Sequence, residues 1–237
     1  MTMEARTLFK ASSVPTQVEN AADGRRERRR QRGEELILDA ATAVFLSKGM
    51  STTTMQDIAQ AADVAQGTLY NYFPNKESLT LSVARRMMKS YGRELLETEI
   101  SRGDLDPLDM VAVSTILLIS KGIADPFWRV LVERYDVLSD ALYDELHEFA
   151  LLNLKQAGKQ GLLPSSVKSL TIFWRLGAWV IAGAIRDIVQ GRMPESDMFA
   201  VATHVLMQQG IEEVRAQAIM RRVRARLARD RRAVLPE

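Results

Sequence analysis

From Arg25 onward the large apolar side chains of this 237-residue chain recur at helical spacing, and no stretch shows the strict alternation that a half-buried strand requires. Glycine and proline punctuate the pattern at helix starts and stops, rather than in the paired turns that join strands. The expected fold class is all-α. With 46% apolar residues the chain can build one sizeable core, or a small domain joined to a larger one.

Several function classes fall away early. Without cysteine there is no disulfide, thiolate metal site or cysteine nucleophile, which fits a reducing, cytoplasmic location. Residues 1–20 lack the apolar run of an export signal. The most apolar stretch, residues 170–185, is shorter than the roughly 20 residues that cross a bilayer and carries Arg175, so it reads as a buried helix and no membrane partner is expected. His147 and His204 stand alone, so neither a metal site nor a catalytic group is placed on them, and no cofactor is expected. Net charge is only +2, yet arginine is concentrated in residues 25–32 and 221–232. Arg25, Arg26, Arg28, Arg29 and Arg30 either neutralise phosphates and release counterions or form a solvated basic tail. The basic C-terminal helix has the further option of an anionic membrane surface or a partner.

Residues 1–24 have few large apolar groups and read as a disordered arm. A first helix is expected over about 28–48, closed by Gly49. Thr54 with Asp57 makes a capping box at the start of a short helix ending near Ala61. A turn through Asp63 and Val64 leads to a third helix, 66–72, and Asn75 caps a fourth to about residue 97. Longer helices follow from Asp106-Pro107, from Asp125-Pro126, over 139–159, from Ser165-Ser166 to about Gln190, and as one long final helix from Pro194.

The two short helices around one tight turn have the proportions of a helix-turn-helix, whose second helix enters the major groove. The run Ala65-Gln66-Gly67-Thr68-Leu69-Tyr70-Asn71-Tyr72-Phe73-Pro74-Asn75-Lys76-Glu77-Ser78-Leu79 adds specificity. Together with Ile37-Leu38, Ala40-Ala41, Phe45, Gly49, Thr53-Thr54 and Ile58-Ala59, it closely resembles the N-terminal domain of the TetR family of repressors, over about residues 32–81. The family usually has glycine where this chain has Asp63, and often serine where it has Ala65. Asp63 is then expected to help cap the third helix.

Residue roles follow from position and chemistry. Thr53 or Thr54, at the start of the second helix, suits a phosphate, and Gln56 is a candidate base or phosphate contact. In the third helix Leu69 should point inward, while Ala65 and Gln66, Gly67, Thr68, Tyr70, Asn71 and Tyr72 form the face toward DNA. Gln66 and Asn71 can read adenine, Tyr72 can pack on a thymine methyl, and Gly67 lets the backbone come close. The resemblance implies phosphate contacts for Tyr70 and Lys76. Phe73 reads as a core plug.

The expected organisation is a helix-turn-helix DNA-binding domain of three helices over residues 25–77. The resemblance implies that residues 78–237 form a larger helical ligand-binding and dimerisation domain. Gly177, Ala178, Ala182, Gly183 and Ala184 would let a second helix approach closely, and Val180, Ile181, Ile188, Val201, Val205 and Leu206 are candidate interface groups of a homodimer. Trp128, Tyr135, Phe149, Trp174 and Trp179, with Met110, Leu117 and Leu118, line an apolar ligand cavity or belong to the plain core. Arg175 needs a partner, either an acid such as Glu133 or an anionic ligand head group. The expected function is a repressor that binds a palindromic double-stranded DNA operator and is released by a small apolar or amphipathic effector. Activation is equally compatible, and a ligand-independent regulator or architectural DNA-binding protein is the alternative.

Overall fold

The computed structural model describes residues 21–95, 105–164 and 169–234. Among these every regular element is a helix. In chain order they are α1 (Ala21–Lys48), α2 (Met55–Ala61), α3 (Gln66–Tyr72), α4 (Lys76–Leu95), α5 (Pro107–Ala124), α6 (Pro126–Leu131), α7 (Tyr135–Lys159) and α8 (Leu170–Val189). A 3-10 turn at Glu195–Asp197 leads into α9 (Met198–Gln208) and α10 (Glu213–Val234). Two compact units divide the chain, Met1–Val83 and Ala84–Glu237. The division falls inside α4, a few residues beyond the boundary at 77/78 that the motifs suggest.

In the first unit α1 buries Ile37, Leu38, Ala41 and Phe45, α2 buries Met55, Ile58 and Ala59, and α3 buries Leu69. Phe73 closes this small core, as expected of a residue that cannot continue the helix before Pro74. α1 begins earlier than its apolar face predicts: residues 21–24 are already helical, and charged pairs such as Arg30 with Glu27 (3.0 Å) and Glu34 (3.3 Å) lace the turns that bury nothing. Residues 1–20, the rest of the expected arm, lie outside the described residues.

In the second unit α5 touches α7, α8, α9 and α10. It is long and apolar enough to cross a membrane by length and composition, and 61% of its apolar window is buried in this unit. Asp106 and Asp125 cap α5 and α6 ahead of Pro107 and Pro126, each accepting a backbone amide at 2.9 Å. α7 starts at Tyr135, a turn before the expected Ser139, and α8 is capped by Ser169, while residues 165–168 lie outside the described set.

The single long C-terminal helix expected from Pro194 is not formed. Gly210 adopts φ +78 and ends α9, and α10 restarts at Glu213. α10 buries Ala216, Ile219, Met220 and Val223. Its basic face is partly engaged: Arg222 Nε donates to Asp109 at 3.1 Å, and the Arg224 guanidinium lies 4.1 Å from the centre of the Phe199 ring.

Candidate functional site

The helix-turn-helix is built by local chemistry. Thr54 caps α2 by accepting the Asp57 amide at 3.1 Å, and Asp57 accepts the Thr54 amide at 2.9 Å, so both halves of the capping box are made. Asp57 also takes Lys48 Nζ at 2.6 Å. These partners, the Lys48 hydrogen bond foremost, hold its carboxyl at about 2, below the ordinary 3.8.

The turn into α3 departs from expectation. Asp63 sits at φ +52, the left-handed conformation that glycine adopts freely, and it does not cap α3. Ala65 is the N-cap residue and provides no side-chain hydrogen bond. Asp63 serves the turn through its backbone; the first amides of α3 are left without a side-chain acceptor.

On α3 the separation of faces is clean. Leu69 is fully buried, whereas Ala65, Gln66, Gly67, Thr68, Tyr70 and Asn71 are exposed, as are Thr54 and Gln56 at the start of α2. A Cβ added at Gly67 would meet nothing within 4 Å. Packing within the protein therefore gives no reason for glycine there, although glycine inside a helix costs about 1 kcal/mol relative to alanine.

Three residues expected to face DNA sit differently. Thr53 is buried and donates its hydroxyl to the Gly49 carbonyl at 2.7 Å, so it shapes the loop rather than offering a group outward. Tyr72 is half-buried against α1: a Cβ on Gly33 would stand 2.9 Å from Tyr72 Cζ. Lys76 is half-buried, its Nζ donating to the Ser51 carbonyl at 3.3 Å.

The second unit contains an apolar cavity of about 50 Å3. Leu95 of α4, Val111, Ser114, Thr115 and Leu118 of α5, Phe149 and Asn153 of α7, Phe173, Trp174 and Ile181 of α8, and Val205 and Gln209 around the end of α9 contribute walls. No charged side chain lines it among the described residues. Of the aromatic candidates, Phe149 and Trp174 are in the wall, and the Trp174 indole donates to the Tyr143 carbonyl at 2.9 Å.

The other candidates do not line it. Trp128 is fully buried elsewhere, edge-on to Tyr91 at 6.3 Å, and is plain core. Met110 and Leu117 also lie off the cavity. Tyr135 donates its hydroxyl to the Trp179 carbonyl at 2.9 Å, and the Trp179 ring is 45% exposed. Arg175 pairs with Asp140 at 2.6 Å, not with Glu133, and lies over the Tyr143 ring at 4.5 Å; it is satisfied outside the cavity. Sequence reasoning missed Ser114, Phe173 and Gln209, because only their wall position distinguishes them from ordinary helix residues; the polar Gln208-Gln209 before Gly210 is the one visible signal.

The candidate interface residues are also redistributed. Ile181, Ile188, Val201, Val205 and Leu206 are buried within the protomer. Exposed apolar groups of the second unit include Ile172, Leu176 and Trp179, at i, i+4 and i+7 on α8, with Met207 on α9 and Val214 on α10. Helix α8 carries more apolar residues than its buried face of Gly177, Ala178, Ile181, Ala182, Ala184, Ile185 and Ile188 holds, so some stand outside, beside Arg175.

Known proteins resemble the chain in both units. Residues 37–92 match the family described as bacterial regulatory proteins, tetR family. The HTH-type transcriptional repressor KstR2 of Rhodococcus jostii (strain RHA1) is 30% identical over 154 residues, covering 61% of this chain and 75% of that protein. The HTH-type transcriptional repressor KstR of Mycobacterium tuberculosis is 39% identical over 81 residues, 34% of either chain. Among solved structures, RolR in complex with resorcinol superposes with a TM-score of 0.70 at 21% identity, covering 82% of this chain and 95% of that one. FadR from Bacillus subtilis in complex with stearoyl-CoA superposes at 0.55 with 17% identity, over 72% and 96%. A capped α2, an outward polar α3 and a repressor relative matched over most of its length lead to one conclusion: this chain belongs to the TetR family of DNA-binding transcriptional regulators.

Proposed function

We propose that the protein is a repressor that binds a palindromic operator as a homodimer and leaves it when a small effector occupies the cavity of the second unit. The exposed polar face of α3 around an otherwise unexplained Gly67 carries this reading. Gln66 and Asn71 would pair with base edges, Thr54, Gln56 and Tyr70 would meet phosphates or base edges beside them, and Lys76 would release the Ser51 carbonyl for a phosphate. Residues up to about 77 would thus form the DNA reader, with the remainder binding ligand and partner.

The outward stripe Ile172, Leu176 and Trp179 with Met207 would be covered by the same stripe of a second copy. Two readers joined in this way would enter successive major grooves about 34–36 Å apart, which requires a symmetric site. α4 carries Lys76 at one end and the cavity-lining Leu95 at the other, so a ligand that displaces Leu95 would favour reader positions unsuited to the grooves. That RolR and FadR, which share this fold, are seen in complex with resorcinol and stearoyl-CoA supports effector binding here. The protein would act in the cytoplasm, where the chromosome lies.

Footprinting of the purified chain on its own genomic DNA tests the reading. Protection of a short symmetric segment is expected. Protection of long tracts without symmetry would favour an architectural protein held by exposed Arg25, Arg26, Arg28 and Arg29, and no protection would overturn both.

A further inference from the structure

The cavity wall holds two polar groups that the fold does not satisfy. The other polar side chains there are committed: Thr115 donates to the Val111 carbonyl at 2.8 Å, Asn153 to the Phe149 carbonyl at 3.1 Å, and Trp174 to the Tyr143 carbonyl at 2.9 Å. Ser114 Oγ and Gln209 Oε1, by contrast, are shut off from solvent and have no hydrogen-bond partner among the described residues. Gln209 is 93% buried. Buried polar groups in native proteins are almost always paired, and these two differ from the equally unpartnered Trp128 Nε1 and His147 Nδ1 in belonging to residues of a cavity wall, where a bound molecule can reach.

We infer that the effector is a compact, uncharged aromatic molecule bearing a hydroxyl, whose ring lies among Phe149, Phe173 and Trp174 and whose hydroxyl pairs with Gln209 and Ser114. The inference rests on the ligand-responsive reading above and names the ligand class of that site. A serine hydroxyl and a glutamine amide both donate and accept, and a ligand hydroxyl does the same, so the match survives either orientation of the amide. Among the described residues the wall contains no lysine or arginine to compensate a carboxylate or phosphate, and burying an unpaired anion is costly. Size points the same way. The free space of about 50 Å3 is below the roughly 150 Å3 of a cavity known to hold benzene. Even one ring must therefore push the walls apart, which couples occupancy to conformation and disfavours bulkier ligands.

The test uses the full chain and three ligands of one shape: 3-methylphenol, 1,3-dimethylbenzene and 3-methylbenzoate, each titrated by calorimetry. The expected order is 3-methylphenol at least tenfold tighter than 1,3-dimethylbenzene, with 3-methylbenzoate weakest of all, since a site with buried polar groups rejects an analogue that leaves them unpaired. Gln209→Met and Ser114→Ala should each shrink the preference for the phenol, weakening 3-methylphenol and tightening 1,3-dimethylbenzene, because the unpaired group that penalises the hydrocarbon is gone. Should Gln209→Met fail to fold, Ser114→Ala and the ligand series on the unaltered protein still decide. Equal binding of phenol and hydrocarbon, tighter binding of the carboxylate, or binding of none of the three would overturn the inference. None of those results touches the repressor reading, which the extent and symmetry of the footprint decide.

Discussion

The ring of Tyr72, at the end of α3, lies against the backbone of Gly33 in the middle of α1, in a space that any larger residue at 33 would fill. The contact fixes how the end of the reading helix leans on its support. Replacing Gly33 with alanine should force the ring aside, at a cost of about 1–3 kcal/mol in stability as overpacking usually does. Operator affinity should fall more than that of a variant equally destabilised elsewhere. Chemical denaturation and a DNA titration run side by side check this.

Gly67→Ala should act in the opposite sense on the fold. Its Cβ enters open space, so stability should be unchanged or rise by up to about 1 kcal/mol. DNA binding should nevertheless weaken, tenfold or more, because the added methyl would keep α3 from close approach. A variant that binds the operator normally would remove the reason offered for this glycine.

The capping box predicts a pH dependence. Asp57 has its carboxyl pulled down to about 2 from 3.8. A depressed folded-state value means that its contribution is fully present above the unfolded value of 3.8 and fades as pH falls toward 2. The urea midpoint of the unaltered protein should therefore exceed that of Asp57→Asn at pH 5, and the difference should close over that acidic window. A gap that stayed constant down to pH 2 would place the stabilisation elsewhere.

Charge on the outward stripe of α8 should separate copies without unfolding either. Trp179→Glu or Leu176→Glu is expected to leave helicity nearly unchanged, since both side chains are substantially exposed in the protomer, while the thermal midpoint loses its dependence on protein concentration. Sedimentation should then show monomers, and operator binding should drop steeply. A dimer that persisted in both variants would assign the interface to another face.

Asp63→Gly gives a further check. An aspartate at φ +52 carries strain that glycine does not, so the substitution should stabilise the turn by up to about 1 kcal/mol, visible as a raised denaturation midpoint.

What could be read from the sequence was whatever local chemistry decides. Thr54 with Asp57, Asp106 with Pro107, Asp125 with Pro126 and Asn75 before α4 each mark a helix start through neighbours a few residues away, and each is found where the residues place it. Leu69 and Phe73 followed from helical period and from the proline at 74. Failures came where a residue's fate depends on another element. Asp63 looked like a cap because its side chain suits that role, but the tight turn claimed its backbone instead. Arg175 found Asp140, one helix away, rather than Glu133. Helix α8 has large apolar residues on more than one face, so composition could not tell Ile181, which faces inward, from Trp179, which faces out. The cavity was the least legible feature, since Ser114 and Gln209 acquire their significance only by lacking partners.

The break between α9 and α10 bears on how such a protein changes what it senses. Gly210 holds a positive φ, and a Cβ there would come within 2.7 Å of the Pro164 ring, so neither the turn nor its neighbour tolerates much variation. Gln209 immediately precedes it and is thereby pinned by main-chain geometry. Phe149 and Phe173 stand on regular helices and can be exchanged for smaller or larger side chains without disturbing a turn. Divergence toward new signals would then proceed by resizing the aromatic walls, while the backbone position from which residue 209 projects stays where the turn holds it.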